Sequence, residues 1–435
     1  MARDLASHIG ADLADQKALA ARKAIEALRN GVPNREAVRA LGSNQPTARR
    51  QFSDLLDAAE SADSPPNLSQ GMLISGDFGA GKSHLLADFE HLALDRGFAC
   101  SKAPISKETP LYDLGKVYAS AMENGRVKER RGRLVEELSR VVKPNTESYT
   151  QLYQWAFREM QAGRLHAVFP ASLAIYEHAL DQELNGDLES FWAGGKIQIS
   201  KIRKGLREAG EAQAIGKFTA PKAADLPPQR LRFAIELMKA SGYKGWVVLL
   251  DEIELVGSYS ILQRGRSYSE LARWMGLALE DRYPGLIVVG AVTDDFANAI
   301  ISPDGKKKDW DYIRPKLENS ARYGGLAASA EKGMQLLMNS CMPLDSPDDV
   351  TVRESVEKLQ ALYRKAYGVT PPPYNAAAGG AGFQGRMRHK VRAAINEWDL
   401  HRLRPNYRPD TVIEKTETSY EENIDLERES KEDAE

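Results

Sequence analysis

The stretch Gly76-Asp77-Phe78-Gly79-Ala80-Gly81-Lys82-Ser83 places three glycines, a lysine and a hydroxyl in eight consecutive residues. The spacing suits a polyphosphate. Glycines let the backbone curve around phosphate oxygens with no Cβ in the way. The backbone N–H groups of such a loop, with the N-terminus of a following helix, then face the anion. In this pattern Lys82 reaches the β- and γ-phosphates and the Ser83 hydroxyl ligates Mg²⁺. A glycine-rich turn with a surface lysine is the bland alternative, and the flanks argue against it. Gly71-Met72-Leu73-Ile74-Ser75 reads as a buried strand, and His84-Leu85-Leu86-Ala87-Asp88-Phe89 as the first turns of a helix. The expected cradle runs from Gly76 to His84, with ATP and Mg²⁺ as its ligands.

A second constellation is Trp246-Val247-Val248-Leu249-Leu250-Asp251-Glu252, an apolar run that ends in two acids. Fully buried parallel strands look like this, and active-site groups of such sheets lie at the carboxyl ends of strands. Asp251 suits the outer-shell contact to Mg²⁺, and Glu252 suits polarisation of an attacking water. The competing reading is a strand that runs into a solvated turn. Glu254 reads as a surface acid. A third strand, Gly285-Leu286-Ile287-Val288-Val289-Gly290-Ala291-Val292, leads into Thr293, a candidate to sense the γ-phosphate; otherwise Thr293 is a polar residue leaving a strand.

Hydrolysis develops charge that an arginine can stabilise. Arg314 and Arg322 flank Pro315 to Ser320 shortly after the third strand, where ring-forming ATPases often carry an arginine finger. Arg386 and Arg388 open a late helix from which a second sensor could reach the nucleotide. The alternative for all four is a surface or DNA-facing cation. No Ser/His/Asp or Cys/His arrangement competes for a separate catalytic role, and the seven histidines lack the paired spacing of a zinc site.

These groups need a sheet and helices to position them. The chain has 435 residues, 42% hydrophobic and 28% charged, ordinary for a globular protein of two or three domains. No apolar stretch approaches the ~18 residues of a membrane span. The N-terminus lacks a signal-peptide core, and the two cysteines suit a reducing cytoplasm. The net charge of −2 hides an asymmetry, because Thr411 to Glu435 carries ten acids against three bases. That tail reads as disordered or as an interaction tail. The mildly basic remainder permits DNA contact without demanding it.

Helical spacing of Ala18, Ala21, Ile25 and Leu28, a break at Gly31-Val32-Pro33-Asn34 and resumption from Arg35 to Leu41 predict helices over about 12–60. They form either a helix-turn-helix-like unit or a helical hairpin packed on the core. Ser61 to Asn67 is a linker, and Gly97 to Ala103 the second strand. Ser83 and Asp251 are 168 positions apart, and much of the gap reads as helix: Leu111–Glu123, Leu134–Val142, Tyr149–Met160 and Ser172–Leu184. A large helical insertion at about 110–240 follows. Its basic stretches, Arg126 to Arg133 and Lys196 to Arg207, are solvated faces or nucleic-acid contacts. Tyr149, Tyr153 and Trp155 are packing residues or base-stacking ones. Val352 to Tyr367 is an amphipathic helix, Ala376 to Gly382 a flexible loop, and Gln384 to His401 a last helix. The domains expected are 1–60, 61–330 with the insertion, 331–410, and a tail from 411.

Several segments together resemble a known family: Ala24-Ile25-Glu26-Ala27-Leu28-Arg29-Asn30-Gly31-Val32-Pro33, then Gly79-Ala80-Gly81-Lys82-Ser83, Gly97-Phe98-Ala99 and Ile105-Ser106-Lys107-Glu108-Thr109-Pro110-Leu111. That succession is similar to the BrxD-like ATP-binding proteins of bacterial BREX phage-defence systems, as are Tyr363 to Gly368 and Arg392 to Leu400. The resemblance covers most of residues 20–405. It implies an α/β P-loop NTPase of the AAA-like branch, with a parallel sheet core, a helical insertion and a helical C-terminal domain. It carries over Lys82 and Ser83 for nucleotide and Mg²⁺, and Asp251 and Glu252 for metal and water. The partners implied are other defence proteins, helicase- or nuclease-like, with DNA and further copies of the chain as additional expectations. Two other functions fit the same residues: a low-turnover assembly module in which ATP is a structural ligand, and a DNA-remodelling helper for replication or transposition.

Overall fold

The computed structural model describes residues 2–31, 34–60, 70–130, 132–178, 182–277, 282–374 and 387–404, with side chains from residue 15 onward. The linker 61–69, the glycine-rich loop 375–386 and the acidic tail lie outside the described residues. Among the described residues six strands form one sheet: β1 (Gly71–Ser75), β2 (Ala99–Pro104), β3 (Gly125–Arg126), β4 (Trp246–Asp251), β5 (Leu286–Val292) and β6 (Cys341–Pro343). Their order is β3-β2-β4-β5-β1-β6. β2, β4 and β5 run parallel, and the two-residue β3 is antiparallel to β2. Every residue of β4 and β5 is buried. Aliphatic runs covered on both faces are what a parallel sheet demands, and each such side chain contributes roughly 1.5–3 kcal/mol on burial. Together with many helices this is a mixed α/β architecture compatible with a P-loop NTPase.

The chain divides into two compact units. Of the described residues, one contains those up to Arg50, the segment Ile74–His91 and those from Met342 onward; the other contains those of Gln51–Leu73 and Leu92–Cys341.

In the first unit the helix Ala2–Asn30 packs on the helices Asp349–Tyr367 and Met387–Leu403. Ala24, Ile25, Leu359, Tyr363, Ile395 and Trp398 form the shared core. Polar groups orient the bundle. The Tyr363 hydroxyl donates to Asp399 at 2.8 Å, Arg29 pairs with the same carboxylate, and the Trp398 indole donates to the Pro372 carbonyl at 3.0 Å. The short helix Arg35–Leu41 starts on Asn34, whose side chain accepts from the N–H groups of Glu36 and Ala37, a standard N-cap. Ala37 and Val38 are buried, and Arg35 pairs with Glu90. The N-terminal helices therefore pack on the C-terminal ones and on the helix Lys82–Asp95.

In the second unit the stretch expected as an insertion is a set of helices from Leu114–Glu123 through Leu226–Ala240. Aromatic rings fill it: Phe169 stands 5.3 Å from Phe191 and 5.2 Å from Phe233, centroid to centroid. Their polar neighbours are satisfied within the same core. The Tyr118 hydroxyl donates to the Trp192 carbonyl at 2.5 Å, the Trp192 indole to Ser172 Oγ at 2.8 Å, and the Tyr149 hydroxyl to the Leu173 carbonyl at 2.5 Å. The segment expected as one helix from Ser172 to Leu184 is instead Val168–Glu177 followed by Gln182–Trp192. Beyond β4, the helices Ile261–Trp274 and Asp309–Glu318 are joined by a buried ion pair. Arg264 donates to both oxygens of Asp309, from Nε at 2.8 Å and Nη2 at 2.8 Å, and Tyr268 donates to the same carboxylate at 2.7 Å. Gly333 lets the helix Ala327–Asn339 approach, since a Cβ there would fall 2.0 Å from the Tyr268 carbonyl.

Candidate nucleotide site

The phosphate loop connects β1 to the helix Lys82–Asp95, as the alternation of apolar run, glycines and helix-formers requires. Gly79 and Gly81 have φ of +85° and +105°, a region that L side chains reach only at a cost of about 1–2 kcal/mol. The Ala80 N–H donates to the Asp77 carbonyl at 3.0 Å, closing the turn, and the Leu85 N–H donates back to Gly81 at 2.9 Å. Lys82 is 8% exposed. Its ammonium donates to the carbonyls of Gly76 at 2.6 Å and Asp77 at 3.3 Å. The charge is thus held by the loop's own backbone.

Neighbours in the same unit fix the loop. His84 Nε2 meets the Gly42 carbonyl at 2.8 Å, and burial lowers its pKa. A neutral ring with Nε2–H as donor satisfies that contact. Asp88, one turn on, is 2.8 Å from Arg49; burial raises its pKa, with Arg49 opposing. Phe78 at the loop tip is 48% exposed, and the Arg388 guanidinium lies 5.7 Å from its ring centroid. Arg388 Nη2 also donates to the Gly31 carbonyl at 2.6 Å. This late helix therefore reaches the phosphate loop through an arginine, at Arg388. Arg386 lies outside the described residues.

The acidic strand end belongs to the other unit. Asp251 closes β4 and is 4% exposed. Its Oδ1 accepts the Glu252 N–H at 3.1 Å, and its Oδ2 accepts the Lys102 ammonium at 2.8 Å. Glu252 is exposed and holds φ +63°, ψ +38°, a left-handed conformation unusual for a residue with a side chain. Such strain is concentrated at functional sites. Glu254, expected on the surface, is only 8% exposed. The left-handed kink at Glu252 turns the chain at once into the short helix Ile253–Ser258 and tucks that residue inward. Thr293, just past β5, is buried at 4% exposure.

Arg314 lies within the helix Asp309–Glu318 rather than beside one, and pairs with Glu318 at 2.9 Å and Glu331 at 2.6 Å. Arg322 is exposed, its guanidinium 5.4 Å from the Tyr323 ring. Several cations of the basic stretches are ion-paired with nearby acids: Lys128 with Asp95, Arg130 with Glu137, Lys201 with Asp187. Tyr149 is a core residue, and Tyr153 and Trp155 pack against that core. Two concave pockets lie elsewhere. One of about 480 Å³ is lined by His166, Lys217 and Phe218, the other of about 540 Å³ by Arg29, Tyr367 and Asp399. Neither includes a residue of the phosphate loop.

Sequence reasoning missed Lys102 and the contact of Arg388 with Phe78. A lysine among small residues in a buried strand was the available signal for the first, and the apolar loop tip for the second. Mg²⁺ takes oxygen donors, usually one or two carboxylates completed by phosphates and water. The Ser83 hydroxyl and the Asp251 carboxylate are donors of that type, and among the described residues no cluster of His, Cys, Asp and Glu forms a separate metal cage. The donor chemistry fits a cation that arrives with a nucleotide. No described helix is long and apolar enough to cross a membrane.

The sequence model of one family, described as BREX system ATP-binding protein BrxC/D, matches residues 17–143 and 227–300. The matched segments contain the phosphate loop, Lys102, the strand ending in Asp251 and Glu252, and Thr293. The gap between them falls on the aromatic-rich helices of the insertion. Arg314, Arg322 and Arg388 lie beyond the match, as do Tyr363 to Gly368 and Arg392 to Leu400. No curated protein and no solved structure matches the chain. The family match makes the chain similar to the BREX system ATP-binding proteins BrxC/D and indicates an ATP-binding component of that defence system, with the system's other components as its partners.

Proposed function

We propose that the chain is an Mg²⁺-dependent cytoplasmic ATPase of the AAA-like branch, and that its ATP cycle controls engagement of DNA or of another BREX component. The observation that carries this reading is the loop itself: left-handed Gly79 and Gly81, and a buried Lys82 ammonium turned onto loop carbonyls. The strand order β4-β5-β1 favours the AAA-like branch, because a γ-phosphate sensor there issues from a strand between the one bearing the loop and the one bearing the acids. In this reading Lys82 neutralises the β- and γ-phosphates, assisted by backbone N–H groups from Gly76 to His84. Ser83 and Asp251 hold Mg²⁺, which supplies Lewis-acid neutralisation of phosphate charge. Glu252 orients and polarises the attacking water, and Thr293 senses the γ-phosphate. Arg314 or Arg322 acts as a finger offered to a second copy of the chain, and Arg388, or Arg386 beside it, carries the nucleotide state into a C-terminal helical domain. Such a switch needs ATP to bind one state better than the other.

A second reading is favoured by the two ion pairs of Arg314. An arginine so held would leave hydrolysis slow, with ATP serving as a structural ligand. Phosphate release from the wild-type, Lys82→Ala and Glu252→Gln proteins, with and without DNA, decides between them. Turnover lost in both variants supports the ATPase, and full activity in both removes it. Tight ATP binding without turnover in the wild type supports the second reading. DNA affinity that does not fall with salt, or no affinity, removes DNA as the engaged partner.

A further inference from the structure

We propose that Lys102 is a positioning residue that competes with the divalent cation for Asp251, holding the carboxylate until a cation-bound nucleotide replaces it. The inference rests on the reading of Asp251 as a metal ligand and adds how that ligand is controlled. β2 and β4 are parallel neighbours, with Lys102 opposite Leu249 and Pro104 opposite Asp251. The Lys102 side chain leans two residues toward the carboxyl end of the sheet and bonds Asp251 Oδ2 at 2.8 Å, while Oδ1 is taken by the Glu252 N–H. The Asp251 side chain is 6% exposed. A carboxylate so enclosed is costly without a counter-charge, and the ammonium of Lys102 supplies one.

The same geometry makes the pair easy to open. The Lys102 side chain is 33% exposed, so its head can swing into water on a flexible four-carbon stem, which a planar guanidinium in a two-pronged contact does less readily. An ammonium and a dication repel each other at one carboxylate oxygen. Binding of the cation therefore displaces Lys102, and by reciprocity anything that strengthens Lys102's hold weakens the cation. The displaced ammonium and the retained Glu252 N–H give the strand end two arrangements, one for each state of Asp251.

The test is binding rather than turnover. A fluorescent ATP analogue is titrated into the full chain in EDTA and then with increasing Mg²⁺, for wild type, Lys102→Met, Lys102→Gln and Lys102→Arg. Removing the charge is expected to lower the Mg²⁺ concentration at half-saturation roughly tenfold, the usual scale of one like charge nearby. Affinity in EDTA should be unchanged, the metal-free melting temperature of the neutral variants should drop, and the Mg²⁺ midpoint of Lys102→Arg, whose guanidinium lets go less readily, should lie above wild type. Should Lys102→Met fail to fold, Lys102→Gln, which keeps a neutral donor, must move the same way. An Mg²⁺ midpoint in the neutral variants equal to or above wild type overturns the inference while leaving the nucleotide site intact. A wild-type chain that binds no nucleotide removes the proposed function and this inference with it.

Discussion

Between Gly76 and Ser83 the contacts that shape the loop are short-range: Lys82 reaches back six and five residues to loop carbonyls, and Ala80 three to Asp77. At the end of β4 the controlling contact is long-range, because Asp251 is met by a lysine from another strand. The loop is shaped by glycine backbone freedom, the strand end by register and by charge compensation in a buried setting. One consequence is that the loop's chemistry is carried by a motif, whereas that of the strand end depends on the sheet forming in the right alignment.

The sharpest way to break the short-range side is Lys82→Ala. It should reduce nucleotide affinity and phosphate release by about 10²-fold or more, since a preorganised cation is lost from the site, while the melting temperature stays near wild type. Glu252→Gln attacks the strand end without touching its ion pair. Phosphate release should fall by roughly 10²-fold with ATP affinity retained, as read by equilibrium titration. Equal losses of affinity in the two variants would erase the distinction between holding the phosphates and activating the water.

Asp309→Ala tests whether a long-range ion pair elsewhere in the same unit behaves alike. It leaves Arg264 buried and uncompensated, so urea unfolding should show a loss of about 3–5 kcal/mol. Nucleotide affinity of the folded fraction should be unaffected. The smallest expected effect is a pH slope in the insertion. His166 Nδ1 accepts the Val168 N–H at 3.1 Å, and burial lowers the ring's pKa, with Asp225 opposing. The unfolded chain then takes up the proton first, so stability is present above the unfolded value and is lost as pH falls through about 6.5 toward the folded value. His166→Asn keeps a side-chain acceptor but does not titrate. Melting temperatures compared between pH 7.5 and 5.5 should differ less in that variant than in wild type.

β1, β4 and β5 were legible because each is an apolar run, and β4 and β5 are recognisable from composition alone. β3 and β6, of two and three residues, carry no such signal. The helices Leu114–Glu123, Leu134–Val141 and Glu147–Gln161 were legible from their periodicity. The break after Glu177 was not, because the apolar pattern continues across it. Glu254 misread as a surface acid shows the same limit: a charge following a strand looks solvated until the backbone kink at Glu252 is known. The union of Ala2–Asn30 with the last helix rests on Ala24, Ile25, Ile395 and Trp398 meeting, and no local pattern announces a partner so distant in the chain.

By itself the sequence determined the glycine turn between β1 and the helix Lys82–Asp95, which strand ends in acids and which family the chain resembles, because these depend on backbone freedom and hydrophobicity over a few neighbouring residues. Tertiary structure alone decided that Lys102 holds Asp251, that Arg388 stands over Phe78, and that Lys128, Arg130 and Lys201 have acids beside them. Those outcomes depend on which side chains are brought within a few ångströms of each other when the sheet and the helical bundle close, and burial then decides which charges must be matched.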